Sequence, residues 1–169
     1  MKNLFFILFF LGLSIVNSQV VVEEANPPVK IPLKLSGNFG ELRSSGFHSG
    51  IDIKTLGREG LEIKSIDNGY ISRISISLSG FGKAIYITHP NGFTSVYAHL
   101  SRFNEKIEKL INAYQYQKKS FVINKFFKKD EFIISKDDVI GYSGNTGSSF
   151  GPHLHFEIRK SSENLPINP

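Results

Sequence analysis

The sequence contains no cysteine, which excludes disulfide bonds and cysteine ligands to a metal. The fold must therefore be stabilised by its hydrophobic core and by any metal that it binds. With 169 residues, of which 40% are hydrophobic and 21% are charged, the chain can bury one core, so we expect one domain. It has no internal repeat and no low-complexity segment.

A second long apolar run is also absent. The only long run, residues 4–16, follows Lys2 and is closed by the small residue Ser18, which is typical of a secretory signal peptide. The alternative, a transmembrane anchor, needs roughly 20 apolar residues. We therefore predict a cleaved signal peptide over residues 1–18 and export to the periplasm, the cell envelope or the medium. No membrane span is expected in the mature chain.

Clusters of basic residues are missing as well. Lysine and arginine are dispersed along the chain, and the formal net charge is +5. Because nucleic-acid-binding proteins gather their basic residues on one face, and because we predict export, we expect no nucleic-acid partner. The small positive excess suits an anionic polymer such as a cell envelope, but it is equally typical of an ordinary solvated surface.

What the sequence does contain is a series of short β-branched runs separated by glycine, which predicts a mostly β domain. The predicted strands are 51–53, 61–63, 70–78, 84–88, 93–98, 121–126, 132–134, 139–143 and 153–159. Alternation is clearest where Ile74, Ile76 and Leu78 share one face. The Asn-Gly turns at 67–69 and 90–92 each separate two predicted strands, and both predict antiparallel hairpins.

The remaining segments differ from this β pattern. Prolines in residues 19–34 forbid helix and predict an extended N-terminal segment. The domain proper is expected over 35–160, with an insertion at about 103–136 and a C-terminal tail at 161–169. One helix is predicted in the insertion, because apolar residues recur at helical spacing behind a candidate cap. These residues are Asn104, Ile107, Leu110, Ile111 and Tyr114.

The first candidate metal-binding motif joins His48 and Asp52. On a straight strand, four steps of about 3.3 Å would hold the two side chains some 13 Å apart, too far for them to share one ion. The chain must therefore bend between them. Gly50 permits such a bend, whereas Ile51 beside it argues against a helix.

The second motif places two histidines on one strand. If Leu154 and Phe156 point into the core, then His153 and His155 line the opposite, polar face, which suits a metal site. Glu157 shares that face; it could support a metal ligand, but we expect a solvated carboxylate at the end of a strand.

The two other histidines of the sheet lie in different contexts. His99 ends a predicted strand. His89 precedes a tight turn, and we expect it to be a hydrogen-bonded structural or surface residue.

Residues 40–43, 48–52, 97–101 and 141–159 together resemble the lysostaphin-type, or LytM-like, zinc metallopeptidases of family M23. The glycine-rich stretch that ends in Pro-His-Leu-His-Phe-Glu, at 152–157, is the most specific signal. The resemblance implies a small antiparallel β-sheet domain of the LytM, duplicated-hybrid-motif-like type, with one inserted helix. It also implies an endopeptidase that uses one Zn²⁺ ion to hydrolyse peptide cross-links of bacterial peptidoglycan.

Carried over position by position, the family pattern implies that His48, Asp52 and His155 bind the zinc ion. It also implies that His99 and His153 are the catalytic histidines. The sequence has no H-E-x-x-H glutamate, and it does not decide which of these two histidines is the base. The long insertion after His99 predicts a wall of the substrate groove and resembles that of envelope-associated relatives, which favours direct cross-links over glycine bridges.

Two other functions compete with this interpretation. A catalytically silent LytM-like domain could bind the wall or activate a separate hydrolase, but such a domain should have lost ligands that this chain retains. A structural β module could use zinc to stabilise the fold. A structural site needs a fourth protein ligand, and His99 or His153 would have to provide it.

Overall fold

The computed structural model describes residues 26–44 and 46–169. The predicted signal peptide and residues 19–25 of the predicted N-terminal segment lie outside the described residues. Within these ranges there are fourteen strands and one helix. They are β1 (Leu35–Gly37), β2 (Leu42–Arg43), β3 (Gly46–Phe47), β4 (Ile51–Lys54), β5 (Glu62–Lys64), β6 (Gly69–Ile76), β7 (Lys83–Thr88), β8 (Phe93–Ala98), β9 (Arg102–Phe103), α1 (Glu105–Lys118), β10 (Ile123–Phe126), β11 (Ile133–Ile134), β12 (Val139–Tyr142), β13 (His153–Lys160) and β14 (Leu165–Ile167).

The strands form one large sheet and two small ones. The large sheet has nine strands, with β1-β4-β13-β8-β7-β6-β10 along its main path, while β11 pairs with β6 and β14 pairs with β13. A three-stranded sheet has the order β5-β12-β9, and β2 pairs with β3. Every pairing is antiparallel. The prediction of a mostly β, antiparallel domain with one inserted helix is confirmed.

Strand β13 lies between β4 and β8 in the large sheet. Leu154 and Phe156 are buried in the main core, at 0% and 5% exposure, as the alternation of apolar residues predicts. The opposite face carries His155, which pairs with Asp52 of β4 on one side and with Ala98 of β8 on the other. Three neighbouring strands therefore bring distant parts of the sequence together on one face.

The N-terminal segment packs along this sheet. Val29 is 1% exposed and belongs to the main core. The carbonyl of Pro28 accepts a hydrogen bond from the Lys64 amide at 2.8 Å, and the carbonyl of Lys34 accepts one from the Lys54 amide at 2.8 Å. The segment thus runs beside β4 and reaches the face of the sheet that carries His155.

The predicted helix is present as α1. The side chain of Asn104 caps it by accepting a hydrogen bond from the Ile107 amide at 2.9 Å, and the helix ends at Lys119 in the left-handed conformation. Ile107 and Ile111 are fully buried in the main core. No helix in the described ranges combines the length and the apolarity that a membrane span requires.

The hairpin predicted at 90–92 is confirmed, since β7 and β8 pair across it. The one predicted at 67–69 is wrong, because β5 pairs with β12, whereas β6 pairs with β7, β10 and β11. Asn68 ties this turn to other loops instead: its carbonyl accepts from His89 Nδ1 at 2.8 Å, and its Oδ1 accepts from the Lys136 amide at 2.9 Å. The turn carries the chain from one sheet to another.

The ends of two predicted elements also differ from expectation. Strand β6 stops at Ile76, and Leu78 is 77% exposed, so its predicted burial is wrong. The amide of Ser77 donates to the carbonyl of Gly82 in the turn that follows. Residue 78 therefore lies in the turn and does not continue the buried face of the strand. In the predicted C-terminal tail, β14 extends the large sheet by pairing with β13.

Candidate metal centre

Three buried side chains meet on the face of the large sheet that lies opposite Leu154 and Phe156. His48 Nε2 lies 3.2 Å from Asp52 Oδ1, and His155 Nδ1 lies 3.0 Å from the same oxygen. The two ring nitrogens are 3.0 Å apart. All three residues are at most 6% exposed, and their ligand atoms lie within 4.8 Å of one another. The structure therefore brings together the three residues that the family resemblance implies as zinc ligands.

The bend between His48 and Asp52 is present between β3 and β4. A Cβ atom on Gly50 would lie 2.2 Å from the carbonyl oxygen of Phe156 in β13. Gly50 does not have a positive φ, so its role is to allow close approach of two backbones rather than an unusual conformation. This contact places the imidazole of His48 against β13.

Hydrogen bonds orient both candidate histidine ligands. His48 Nδ1 donates to the Asn38 carbonyl at 2.8 Å, and His155 Nε2 donates to Glu157 Oε1 at 2.9 Å. In these tautomers, which we assign from the bonding partners, the other nitrogen of each ring carries a lone pair directed at Asp52. Two such lone pairs and a carboxylate oxygen facing one point fit a divalent cation of the zinc type.

Asp52 is held as a carboxylate. Arg43 Nη2 lies 2.6 Å from Asp52 Oδ2, on the side away from the two histidine ligands. Burial alone would raise the pKa of Asp52, but the adjacent imidazoles of the histidine cluster and the hydrogen bond from Arg43 outweigh it and hold the pKa far below its usual value. The site therefore has a negatively charged ligand at neutral pH.

Glu157 supports His155 from behind, so the expectation of a solvated carboxylate is wrong. Glu157 is fully buried, and it also accepts hydrogen bonds from Ser49 and from Arg159, the latter at 2.6 Å. Burial would raise the pKa of Glu157, but bonds from His155, Arg159 and Ser49 outweigh it and lower the pKa. The signal that could have found this role is Arg159, which lies two residues later on the same face of the strand.

The two candidate catalytic histidines stand side by side next to this cluster. The ring centroids of His99 and His153 are 4.7 Å apart. His99 Nδ1 donates to the Thr146 carbonyl at 2.8 Å, and His153 Nδ1 donates to the Gly151 carbonyl at 2.8 Å, which leaves Nε2 of each ring without its proton. His153 Nε2 lies 3.5 Å from Asp52 Oδ1.

His99 has two further properties of a functional residue. It follows β8 with φ of 59°, which is unusual for a residue other than glycine. Burial lowers the pKa of His99 to about 4, so its imidazole is neutral at pH 7.

His89 lies outside this group. Its two nitrogens bond the Asn68 carbonyl at 2.8 Å and Ser95 Oγ at 2.7 Å, and it is 4% exposed. The expectation of a hydrogen-bonded structural histidine is confirmed.

A groove of about 1080 Å³ opens onto the cluster. Besides His99 and the residues of the turn at 148–153, its lining consists of Pro32, Lys34, Ser36, Arg43, Ser44, Asp52, Lys54, Leu56 and Gly57. Among the described residues, none of the insertion at 103–136 lines it, so the predicted groove wall is wrong. The apolar face of α1 packs into the core instead. The N-terminal segment and the glycine-rich turn form the walls.

Comparisons with known proteins identify relatives of this chain. Residues 46–119 and 110–169 match the family model described as Peptidase family M23. DD-carboxypeptidase/endopeptidase Mpg of Neisseria meningitidis serogroup B is 31% identical over 141 residues, which cover 80% of this chain and 26% of that protein. Lysostaphin of Staphylococcus simulans is 30% identical over 115 residues, which cover 68% of this chain and 18% of that protein. The chain thus spans about a quarter or less of these relatives.

Solved structures show the same fold. The catalytic domain of the antimicrobial peptidase lysostaphin from Staphylococcus simulans has a TM-score of 0.60 and 25% identity, covering 81% of this chain and 89% of that one. The catalytic domain of the prophage-encoded M23 protein EnpA from Enterococcus faecalis has a TM-score of 0.60 and 23% identity, covering 86% and 95%. Since the two segments that match the family model together cover most of the sequence, the chain belongs to peptidase family M23.

Proposed function

We propose that this chain is a zinc-dependent endopeptidase that is exported to the periplasm, the cell envelope or the medium and hydrolyses peptide cross-links of bacterial peptidoglycan. The observation that carries this proposal is the convergence of two imidazole lone pairs on one carboxylate, Asp52, which lines an open groove together with two further histidines. The relatives' names support it, since Mpg is described as an endopeptidase and lysostaphin as an antimicrobial peptidase. The predicted signal peptide at 1–18 and catalytic domain at 35–160 are part of the proposal.

In this proposal His48, Asp52 and His155 hold the zinc ion. Zinc in such a site supplies Lewis acidity, which activates water and polarises the peptide carbonyl. Two neutral imidazoles and one carboxylate are a donor set typical of hydrolytic zinc sites, which keep one position for water or substrate. Glu157 and the Asn38 carbonyl fix the tautomers of the two histidine ligands.

His99 and His153 supply the proton transfers. Each ring is anchored through Nδ1, which leaves Nε2 without its proton, and both residues line the groove. A neutral imidazole with a free Nε2 can accept the proton of the attacking water, and its protonated form can donate to the oxygen on which negative charge develops. The Thr146 and Gly151 carbonyls position the rings for these roles.

The competing functions fit the geometry less well. A silent wall-binding or hydrolase-activating domain has no need for three ligands and two oriented histidines, all of which are present. A structural zinc site closes its fourth position with a protein ligand. Among the described residues, the group whose ligand atoms lie within 4.8 Å of one another contains only His48, Asp52 and His155, and a groove opens onto it.

Substitutions of the five residues test the proposal. We expect His48→Ala, Asp52→Ala and His155→Ala to lose both zinc and hydrolysis, because each removes a ligand. His99→Ala and His153→Ala should retain zinc and lose turnover by roughly 10²–10⁴-fold, the usual contribution of general acid–base catalysis. Bound zinc is measured by metal analysis, and hydrolysis by mass spectrometry of fragments released from isolated cell walls, with and without a chelator.

Two outcomes would contradict this proposal. Full activity in His155→Ala would refute the ligand assignment. Cell walls that the unsubstituted, zinc-loaded chain leaves intact would refute the peptidase function and favour the silent domain.

A further inference from the structure

Two lysines lie in the groove beside the candidate metal centre. Lys34 and Lys54 both line the groove, and both are exposed. They are neighbours, because the Lys54 amide bonds the Lys34 carbonyl at 2.8 Å. Lys54 follows Asp52 by two residues on β4 and lies opposite His153 of β13, so its side chain is on the same face of the sheet as both of them.

The chain supplies no anionic partner for these lysines among its described residues. Asp52 is the only acidic residue in the groove lining, and it already contacts the histidine cluster and Arg43. The Arg43 charge is matched by Asp52 and Glu41. Neither Lys34 nor Lys54 has a carboxylate within 4.0 Å in the described part of the chain. This part of the groove is therefore cationic toward whatever enters it.

We propose that Lys34 and Lys54 bind a free carboxylate of the substrate peptide and thereby select charged, directly linked stem peptides over neutral glycine bridges. This inference rests on the proposed function and specifies its substrate. Asp52 and Lys54 are two strand positions apart, about 7 Å. An extended substrate advances about 3.5 Å per residue, so the recognised carboxylate lies about two residues from the bond that is cut. Direct cross-links carry free carboxylates at such positions, whereas a chain of glycines carries none.

The test uses two synthetic cross-linked peptides that share one D-alanyl link and differ only in their flanking carboxylates, which are free in one and amidated in the other. The variants are Lys34→Gln, Lys54→Gln and the double variant, which remove charge and retain most of the side-chain length. Lys109→Gln is the matched control, because Lys109 is exposed on α1 outside the groove. Thermal unfolding of each variant checks that the fold is retained.

We expect the unsubstituted chain to cleave the carboxylate peptide with a kcat/KM roughly three- to ten-fold above that of the amidated peptide at low salt, the range for one or two solvent-exposed ion pairs. The ratio should fall to about one in the double variant and stay unchanged in Lys109→Gln. Added salt should reduce it, because screening weakens exposed ion pairs. Calorimetry on the same peptides in a His99→Ala background, which should retain zinc and lose turnover, gives the binding preference without cleavage.

The outcomes separate this inference from the proposed function. Equal rates and equal affinities for the two peptides, or a preference that survives in the double variant, would overturn the lysine site and leave the peptidase function standing. Binding that prefers the carboxylate peptide and depends on the lysines, with no cleavage of either peptide, would support the lysine site and refute the peptidase function.

Discussion

Glu157 controls the electronic state of a candidate zinc ligand without facing the metal position itself. Its carboxylate accepts the Nε2 proton of His155 and is itself held by Arg159 and Ser49. A carboxylate behind a histidine ligand fixes the ring and makes the ligating nitrogen more basic. Because Glu157 is fully buried, bulk water does not compete for this hydrogen bond.

We therefore expect Glu157→Ala to weaken zinc affinity about 10- to 100-fold, the usual effect of losing such a partner. It also leaves the Arg159 charge and the His155 N–H without their acceptor, which costs about 1–3 kcal/mol of folding free energy. Glu157→Gln keeps an acceptor oxygen, so its zinc affinity should lie between that of the unsubstituted chain and that of Glu157→Ala. Zinc affinity is measured by competition with a chelating dye.

Glu163→Gln is the control for this change, because Glu163 is an exposed carboxylate near the C-terminus. The positioning role is refuted if Glu157→Ala binds zinc as tightly as Glu163→Gln does.

The sequence indicates the face on which a residue lies, but it does not show what covers that face. Alternation along β13 places His153, His155 and Glu157 on one side, and the structure agrees. Alternation cannot show that Ser49, from a loop about a hundred residues earlier, closes over Glu157. The expectation of a solvated carboxylate is wrong for this reason, because the burial arises from long-range packing.

At the scale of elements, the close approach of β13 to the bend before β4 determines the site. A side chain at Gly50 would overlap the Phe156 carbonyl, since its Cβ atom would lie 2.2 Å from that oxygen. We expect Gly50→Ala to destabilise the fold by about 1–3 kcal/mol, the range for an overpacked core. It should also displace His48 and weaken zinc binding. Chemical denaturation of the zinc-free protein measures the first effect.

Gly151→Ala is the matched control, because a Cβ there meets no atom within 4 Å and Gly151 does not have a positive φ. Its stability should be at least that of the unsubstituted chain, because alanine leaves the unfolded chain less conformational freedom than glycine. Equal stabilities for the two alanine variants would show that the β4–β13 contact is not constrained as described.

Local signals predict the helix and one of two hairpins for a clear physical reason. The cap at Asn104 and the turn at 90–92 involve residues that are close in sequence. The turn at 67–69 has the same Asn-Gly chemistry, yet β5 pairs with β12, whose residues lie some 75 positions away. The groove walls could not be predicted for the same reason, since Pro32, Lys34 and Ser36 line one groove with residues 148–153 only in the folded chain.

At the scale of the whole molecule, the candidate zinc site joins two distant parts of the chain. His48 and Asp52 lie near the start of the domain, and His155 lies near its end. No disulfide can connect these parts, because the chain has no cysteine. An ion bound by all three side chains would therefore act as the one strong link between them in addition to sheet pairing and the core.

We expect zinc to raise the thermal midpoint of unfolding in proportion to the logarithm of its concentration. A ligand that binds only the folded state stabilises it by about 2.7 kcal/mol at 100 times its Kd. For a domain of this size, that corresponds to a shift of roughly 5–10 °C. The shift should vanish in His48→Ala and persist in His99→Ala, because only the first removes a proposed ligand. Scanning calorimetry across a zinc titration measures it, and an equal shift in both variants would place the stabilising ion elsewhere in the molecule.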